Sequence, residues 1–282
     1  MLWQRLKTRS KKILRESCRS WNRLRYARYA SFFSEAPKIS LCTTCMGRLH
    51  HLRETFLKNI ADNQDYPNLE FVLLNYSSPD GMDDWARQNL QGLISSGRVV
   101  YYRTECHKHF HVAHAKNVAQ KLASGDIICA VDADNFTGQG FARFLGDLFA
   151  ENSRRVVHGH WDVRPGLTGR IAVLKRYFFL AGGYDESLRG WGYEDYNLVQ
   201  RLYNFGLDKV LIREEGFLGV IRHGDEERVR FYPPGCQDRG VTNKVNIRLS
   251  LGEELGQAVA NRGVHWGRDR VTMNFGTDII EV

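Results

Sequence analysis

Two kinds of hydrophobic pattern alternate from residue 39 to residue 150. Short, nearly continuous apolar runs are typical of buried strands, and apolar positions that recur about every three to four residues are typical of helices. The pattern predicts strands at 39–43, 69–75, 98–103 and 127–131, and helices at 49–63, 82–93, 112–123 and 140–150. Because strands that alternate with helices indicate βαβ units, we expect an α/β fold with a mostly parallel central sheet flanked by helices.

The segment 1–36 has a different pattern, in which apolar residues at helical spacing are separated by basic ones. Residues 1–30 hold ten Lys or Arg and one Glu, so subtracting their charge of +9 from the total of +8 leaves −1 for the rest. This predicts a basic amphipathic helix, whose partner could be a membrane surface, another protein surface or nucleic acid. Trp3 and Trp21 favour an anionic membrane surface for residues 1–33, and we expect no nucleic acid.

The sequence contains no run of about 18 apolar residues, so we expect no membrane-spanning helix. It also lacks the apolar stretch of a secretory leader. We therefore expect a cytoplasmic protein, bound peripherally at the inner face of the membrane. Six cysteines stand at irregular spacing, which predicts free thiols and no disulfide framework.

A pair of carboxylates follows the strand predicted at 127–131. Asp132 and Asp134 are separated by one residue and come where the strand ends. Hard divalent cations such as Mg²⁺ and Mn²⁺ prefer oxygen ligands, and they usually keep positions open for substrate phosphates. The pair is thus a candidate metal site, although a polar turn after a buried strand would have the same sequence.

A second cluster combines glycines, a tryptophan and two acids. Gly182-Gly183-Tyr184 is followed by Gly190-Trp191-Gly192-Tyr193-Glu194-Asp195. Glycines allow a backbone to bend close to a ligand, and an indole ring offers an aromatic platform. The acids begin a predicted helix at 195–205, where the helix dipole favours negative charge, so a plain N-terminal charge arrangement is the alternative.

A third segment, Ile221-Arg222-His223, follows a short apolar run, and such a histidine is by itself more often structural than a ligand. With the two motifs before it, residues 38–225 resemble a GT-A glycosyltransferase. The first half is similar to family 2 transferases, with a polar turn at 43–48 and Ala115-Lys116-Asn117. The second half resembles the β-1,4-galactosyltransferase and chondroitin-polymerase type, whose Trp-Gly-x-Glu-Asp stands at 191–195.

The resemblance implies a role for each residue that matches a motif. Asp195 would be the general base, and the metal would be bound by Asp134, His223 and Asp132. The implied acceptor contacts are Trp191, Gly192, Glu194 and Asp195. The implied donor contacts are Thr43, Thr44, Arg48, Asn75, Tyr76, Lys116, Asp132, Ala133 and Trp191. One departure concerns residues 75–78, which read Asn-Tyr-Ser-Ser where family 2 usually has Asp-Asp-Gly-Ser.

The implied activity is inverting transfer of a hexose or N-acetylhexosamine from a nucleotide sugar, expected to be a UDP-sugar, with Mn²⁺ or Mg²⁺. The expected acceptor is a glycan or a lipid-linked glycan in surface polysaccharide synthesis. We expect the arm at 1–36, a catalytic domain at 37–240 with a nucleotide-sugar half (37–137) and an acceptor half (138–240), and a C-terminal helical and loop extension at 241–282.

Two other function classes remain open from the sequence. One is a binding module that holds glycan or nucleotide on a transferase fold without turnover, and the other is a nucleic-acid protein acting through the basic arm. The histidines at 107, 109, 111 and 114 are compatible with a zinc site or with polar loop contacts. The oligomeric state is also open.

Overall fold

The computed structural model describes residues 16–105, 107–253 and 258–282. Its strands and helices alternate as the hydrophobic pattern predicts. The strands are β1 (Ile39–Cys45), β2 (Leu69–Asn75), β3 (Val99–Thr104), β4 (Ile127–Ala130), β5 (Asn135–Phe136), β6 (Arg155–His158), β7 (Ile171–Leu174), β8 (Asp208–Leu211), β9 (Gly219–Val220), β10 (Arg270–Met273) and β11 (Ile279–Glu281). The helices are α1 (residues 16–25), α2 (Leu49–Asp62), α3 (Met82–Ser95), α4 (Val112–Leu122), α5 (Phe141–Glu151), α6 (Lys175–Leu180), α7 (Glu194–Asn204), α8 (Asp225–Val229) and α9 (Arg239–Glu253).

Nine strands form one sheet in the order β11-β10-β3-β2-β1-β4-β7-β6-β8. The β1–β2, β2–β3, β1–β4 and β6–β8 pairs are parallel, whereas β7 and β10 run antiparallel to their neighbours. All seven residues of β2 are buried, as expected for a strand covered on both faces. The expected α/β fold with a mostly parallel sheet is confirmed.

The sheet directions bring three segments to one edge. The carboxyl ends of β1 and β4 are neighbours, so residues 46–48 and 132–134 meet there. Because β7 is antiparallel to β4 and pairs Ile171 with Ala130, the residues before β7 lie beside the same end. Ligands of α/β proteins collect at this edge of the sheet.

The C-terminal strands β10 and β11 belong to the same central sheet. Strand β10 pairs with β3, and β11 pairs with β10, so both continue the nine-stranded sheet. The hydrophobic pattern did not predict these two strands. Helix α9 begins at Arg239, close to the boundary expected at residue 240.

Residues 1–15, which hold much of the predicted amphipathic helix, lie outside the described residues. From residue 16 the arm packs on the domain. Arg19 and Arg23 form salt bridges with Asp208 at 3.1 and 2.8 Å, and the rings of Tyr26 and Phe205 are 4.5 Å apart. None of the described helices is long and apolar enough to cross a membrane.

Candidate active site

A cleft of about 420 Å³ opens at the edge of the sheet where β1 and β4 end. Its walls include most of the residues that the sequence analysis assigned to a site. The predicted residues among them are Thr44, Arg48, Lys116, Asp132, Ala133, Asp134, Trp191, Glu194, Asp195 and His223. Residues from five separate parts of the chain therefore face one cavity.

Asp134 and His223 are brought together by a separate two-stranded sheet. Strand β5 pairs antiparallel with β9, and the Ile221 amide donates to the Asp134 carbonyl at 2.8 Å. This register places His223 Nε2 2.7 Å from Asp134 Oδ2. The Asn135 amide also donates to Asp134 Oδ1 at 2.8 Å, which fixes the carboxylate orientation. Eighty-nine positions of sequence separate the carboxylate from the imidazole that meets it.

His223 has a polar contact at each ring nitrogen. Nδ1 lies 3.2 Å from the Gly224 carbonyl oxygen. Nε2 faces Asp134 and the Arg48 guanidinium, 3.0 Å away. Divalent cations are often bound by a carboxylate oxygen and an imidazole nitrogen together. The second ring nitrogen of such a histidine is usually held by a carbonyl, as Nδ1 is here, so Asp134 and His223 are suited to a divalent cation.

Arg48 and His223 also set the charge of Asp134. Burial by itself would raise the pKa of this carboxyl, but the hydrogen bond with His223 and the charge of Arg48, 3.8 Å away, lower it below its usual value. Asp134 is therefore ionised at neutral pH, as a metal ligand must be.

Lys116 lies between the two acidic motifs. Its ammonium is 2.9 Å from Asp195 Oδ1 and 3.3 Å from Asp132 Oδ1, and the residue is only 5% exposed. Burial alone would lower its pKa, but these two carboxylates outweigh burial and raise it well above the usual value. Lys116 thus carries a positive charge that holds both carboxylates in place. The resemblance had assigned this side chain to the nucleotide.

Glu194 begins α7 beside Asp195, and the two acids differ in environment. Glu194 is 6% exposed. Burial and the neighbouring charge of Asp195 raise the pKa of Glu194 to about 8. It is therefore protonated at neutral pH, while Asp195 is paired with Lys116. Of the two adjacent acids, Asp195 is the one whose carboxylate is stabilised within the cleft.

The loop around Trp191 is held by α9. The Asn246 amide donates to the carbonyls of Gly192 and Arg189 at 2.8 and 3.1 Å, and the Thr242 hydroxyl donates to the Trp191 carbonyl at 3.0 Å. Tyr193 has a φ of +75°, a left-handed conformation that is strained for a tyrosine. These contacts keep the strained turn closed, so Glu194 and Asp195 enter the cleft from a fixed position.

Three residues predicted to contact the donor are buried, and the side chains of two of them have partners within the protein. Thr43 is 4% exposed and Asn75 is 2% exposed. The Asn75 amide donates to Asp83 and Tyr101. The ring of Tyr76 is stacked on His107 with a centroid distance of 4.1 Å, and its hydroxyl bonds to His114 Nδ1 at 2.8 Å. The side chains of Asn75 and Tyr76 are thus bonded to neighbouring residues, and their assignment to the nucleotide stays a prediction. Gly192 is buried too, with its carbonyl bonded to α9.

The histidine-rich segment takes part in this same network. His107 Nε2 lies 2.7 Å from Asp269 Oδ2, and His114 Nε2 donates to the Arg268 carbonyl at 2.9 Å. One ligand atom each from His107, His114 and Asp269 lies within 4.8 Å of the others. These contacts join the start of α4 and the loop before it to the segment before β10. They explain His107 and His114 as polar loop contacts. A zinc site stays a prediction.

Sequence reasoning missed the aromatic residues that cover the cleft after His223. Phe231 packs so closely on Gly47 that a Cβ atom there would lie 1.8 Å from its ring, and the Phe110 amide donates to the Phe231 carbonyl at 2.7 Å. The guanidinium of Arg239 lies 3.8 Å from the centre of the Trp191 ring. Nothing in the local sequence signals these contacts, because they join residues far apart in the chain.

Comparison with known proteins identifies a family and a fold. The family described as glycosyl transferase family 2 matches residues 40–213. No curated protein sequence matched. Among solved structures, S. aureus TarS 1-349 in complex with UDP-GlcNAc is similar at a TM-score of 0.60 and 15% identity, over 81% of this chain and 68% of that one.

A second similar structure is the mannosyltransferase PcManGT from Pyrobaculum calidifontis in complex with GDP-Man and Mn²⁺, at a TM-score of 0.54 and 15% identity, over 88% of this chain and 83% of that one. Another crystal structure of TarS 1-349 has a TM-score of 0.53 and 14% identity, over 64% of this chain and 59% of that one. These identities establish a shared fold. With more than half of its length matched by the family, the chain belongs to glycosyl transferase family 2 and is a glycosyltransferase of the GT-A fold.

Proposed function

We propose that the chain transfers a hexose or N-acetylhexosamine from a nucleotide sugar to a hydroxyl group, with inversion at the anomeric carbon. The observation that carries this proposal is the single cleft shared by Asp134, His223 and Asp195. Such a transfer requires a metal-binding pair and a general base, which Asp134 with His223 and Asp195 would supply. Structures with this fold that contain UDP-GlcNAc or GDP-Man and Mn²⁺ support a nucleotide-sugar donor, and we favour a UDP-sugar.

Asp134 and His223 would hold Mn²⁺ or Mg²⁺, because they supply an ionised carboxylate and an oriented imidazole 2.7 Å apart. When bound, the cation offers Lewis-acid stabilisation of the negative charge that develops on a leaving diphosphate. Arg48 adds a fixed positive charge next to the pair, with its Nη1 3.0 Å from His223 Nε2. Thr44 and Ala133 border the same part of the cleft and would contact the nucleotide.

Asp195 would take the proton from the attacking hydroxyl. The acceptor oxygen forms a bond to the anomeric carbon while the bond from that carbon to the diphosphate oxygen breaks, and the hydroxyl proton passes to Asp195. A single displacement of this kind inverts the anomeric centre. Lys116 holds the carboxylate at 2.9 Å and fixes its orientation before the reaction. Trp191 and Glu194 line the same cleft and would contact the acceptor.

The described arm residues support action at a membrane surface. Trp21, Leu24 and Phe32 are 68%, 75% and 98% exposed, although they are large apolar residues. Exposed aromatic and aliphatic residues among basic ones are typical of helices that lie in a membrane interface. We therefore propose a lipid-linked glycan acceptor at the inner membrane face, with the arm as the peripheral anchor.

The proposed function is tested by incubating the protein with a panel of nucleotide sugars and measuring release of nucleoside diphosphate, with Mn²⁺, with Mg²⁺ and with EDTA. We expect release from one donor class that depends on the cation and stops with EDTA. Donor binding without release, in the presence of any acceptor, would favour a binding module. Retardation of an oligonucleotide in a gel would favour the nucleic-acid alternative.

A further inference from the structure

A second cavity, of about 440 Å³, meets the first at Asp195. Asp195 and Thr168 belong to the walls of both. Asp134 and His223 line the first cleft, whereas the second cavity is bounded by residues that follow β6, by the first turns of α7 and by the end of β8. A molecule in the second cavity therefore reaches Asp195 without occupying the space beside the candidate metal pair.

The wall formed by β8 and the residue beyond it carries positive charge. Lys209 and Arg213 line the cavity, and neither forms a salt bridge within the described part of the chain. The ammonium of Lys209 lies 4.7 Å from the centre of the Tyr203 ring, and the guanidinium of Arg19 lies 4.3 Å from the same ring. The charge of Arg19 is offset by its salt bridge with Asp208 at 3.1 Å, so Lys209 and Arg213 are the cations that face the cavity.

The carboxylates at and near the cavity each have a polar partner. Besides Asp195, Asp162 is the carboxylate that lines it, and Asp162 lies 3.3 Å from His160 Nδ1. Asp208, next to Lys209 in the chain, is paired with Arg19 and Arg23. Lys209 Nζ donates one hydrogen bond to Gln200 Oε1 at 3.0 Å, and neither Lys209 nor Arg213 has a carboxylate partner among the described residues, so both cations can bind an anion from outside.

Two further residues suit a sugar. Tyr196 is 43% exposed and lines the cavity, so its ring can stack on the apolar face of a pyranose. His158 also borders the cavity at 7% exposure, and its Nε2 has no hydrogen-bond partner among the described residues. Since Nδ1 donates to the Gly159 carbonyl, Nε2 is an acceptor that a sugar hydroxyl could satisfy.

We infer that the second cavity binds the acceptor and that this acceptor is anionic, with a carboxylate or a phosphate next to Lys209 and Arg213. The inference rests on the proposed function, because it takes Asp195 as the base that the acceptor hydroxyl must face. Tyr196 holds the sugar ring, and the two cations select acceptors that carry negative charge. A uronic acid residue and a phosphodiester-linked glycan share this chemistry.

The test uses β-linked disaccharides in three matched forms: neutral, oxidised to the uronic acid, and phosphorylated. Binding to the full chain is measured by saturation-transfer NMR and by calorimetry. We expect the wild type to bind at least one anionic form about 10-fold or more tightly than its neutral counterpart. The uronic acid and phosphate forms then identify which anion is preferred.

The variant Lys209→Gln/Arg213→Gln removes both charges, and Lys209→Arg/Arg213→Lys keeps them. We expect the first to lose the preference for the anionic form and the second to retain it. Lys244→Gln/Arg248→Gln, on the exposed face of α9, is the matched control. Equal binding of all three forms, binding of none, or an unchanged preference in the first variant would overturn the inference.

Acceptor-independent donor hydrolysis separates this inference from the proposed function. The Lys209→Gln/Arg213→Gln variant should release nucleoside diphosphate at the wild-type rate when no acceptor is present, since neither residue lines the first cleft. Absence of metal-dependent release in the wild type would contradict the proposed function, whatever the disaccharides show.

Discussion

Lys116 determines the balance of charge in the cleft. It is one buried cation between Asp132 and Asp195, with Glu194 and Asp134 close by. A buried charge is stable only when it is paired, so the position of this ammonium depends on both carboxylates. The arrangement pairs the Asp195 carboxylate with Lys116 and orients it, while burial and the charge of Asp195 raise the pKa of Glu194, so that Glu194 holds its proton.

The raised pKa of Glu194 predicts how stability depends on pH. Its pKa of about 8 in the folded chain lies above the unfolded value of 4.5, so the folded state binds more protons between these values. The free energy of unfolding should therefore fall as pH rises through this window, by up to about 1.4 kcal/mol per pH unit. Urea unfolding of wild type and Glu194→Gln between pH 5 and 8 checks this.

Glu194→Gln removes the titrating group, so its unfolding free energy should change less over that range, and it should exceed the wild-type value at pH 8. Glu151→Gln, on an exposed face of α5, is a control that should follow the wild-type pH profile. Parallel profiles for wild type and Glu194→Gln would show that Glu194 is ionised in the folded chain.

Gly169 gives a prediction about the space around Asp132. A Cβ atom at position 169 would lie 2.1 Å from Asp132 Oδ2, closer than any real contact. Gly169→Ala should therefore displace the Asp132 carboxylate and reduce donor turnover about 10-fold or more, because misplaced site groups lose rate steeply. Gly92→Ala, where the added Cβ meets nothing within 4 Å, should keep wild-type turnover and is the control. Wild-type turnover in Gly169→Ala would show that Asp132 does not need its present position.

At the scale of elements, two short structures position the site. The β5–β9 pair carries His223 to Asp134, and α9 holds the turn from which Glu194 and Asp195 enter the cleft. Neither role is visible in hydrophobic periodicity. Each of these strands has two residues, too few for an alternating pattern, and α9 contacts the Trp191 loop through polar side chains.

Features that depend on neighbouring residues were predictable from the sequence, whereas contacts between distant residues were not. Strand β2 was predicted with its observed bounds, because it is a continuous apolar run that is buried throughout. Candidate residues at the strand ends could also be named from the sequence, since a strand end and a carboxylate are local features, and their roles stay predictions. The positions of Asn75 and Tyr76 were not predictable, because their orientation depends on Tyr101, His107 and His114 from other elements.

Asn246 tests the role of α9. It is 1% exposed and donates to the carbonyls of Gly192 and Arg189. Asn246→Ala leaves two carbonyls without their partner, so we expect a loss of about 1–3 kcal/mol in unfolding free energy. Transfer should fall more than donor binding, because the loosened turn carries Asp195. Lys244→Ala, exposed on the same helix, should change neither. Equal transfer by both variants would refute the role of α9.

At the scale of the whole molecule, the chain combines a slightly acidic domain with a basic arm. The part of the arm from residue 16 is fastened by Asp208, which binds Arg19 and Arg23, while Trp21 and Leu24 stay exposed. The second cavity reaches β8, the strand that Asp208 begins. The arm surface and the proposed acceptor site therefore adjoin, which agrees with the proposal of a lipid-linked acceptor.

Vesicle flotation tests the arm. The wild type should float with vesicles containing phosphatidylglycerol and remain at the bottom with neutral vesicles, since both apolar insertion and charge contribute to binding. Trp21→Ser/Leu24→Ser/Phe32→Ser should reduce flotation about 10-fold or more. Val245→Ser, an exposed apolar position on α9, is the control. Flotation that is unaffected by the triple variant would assign the arm to protein packing alone.

The most direct measurement of the central claim compares donor binding and transfer in two variants. Calorimetry with Mn²⁺ and the donor found in the panel gives binding, and release of nucleoside diphosphate with acceptor gives transfer. We expect Asp195→Asn to bind donor like the wild type and to lose transfer about 10²–10⁴-fold, whereas Asp134→Asn loses metal-dependent donor binding itself. Wild-type transfer by Asp195→Asn, or undiminished metal-dependent binding by Asp134→Asn, would contradict the account.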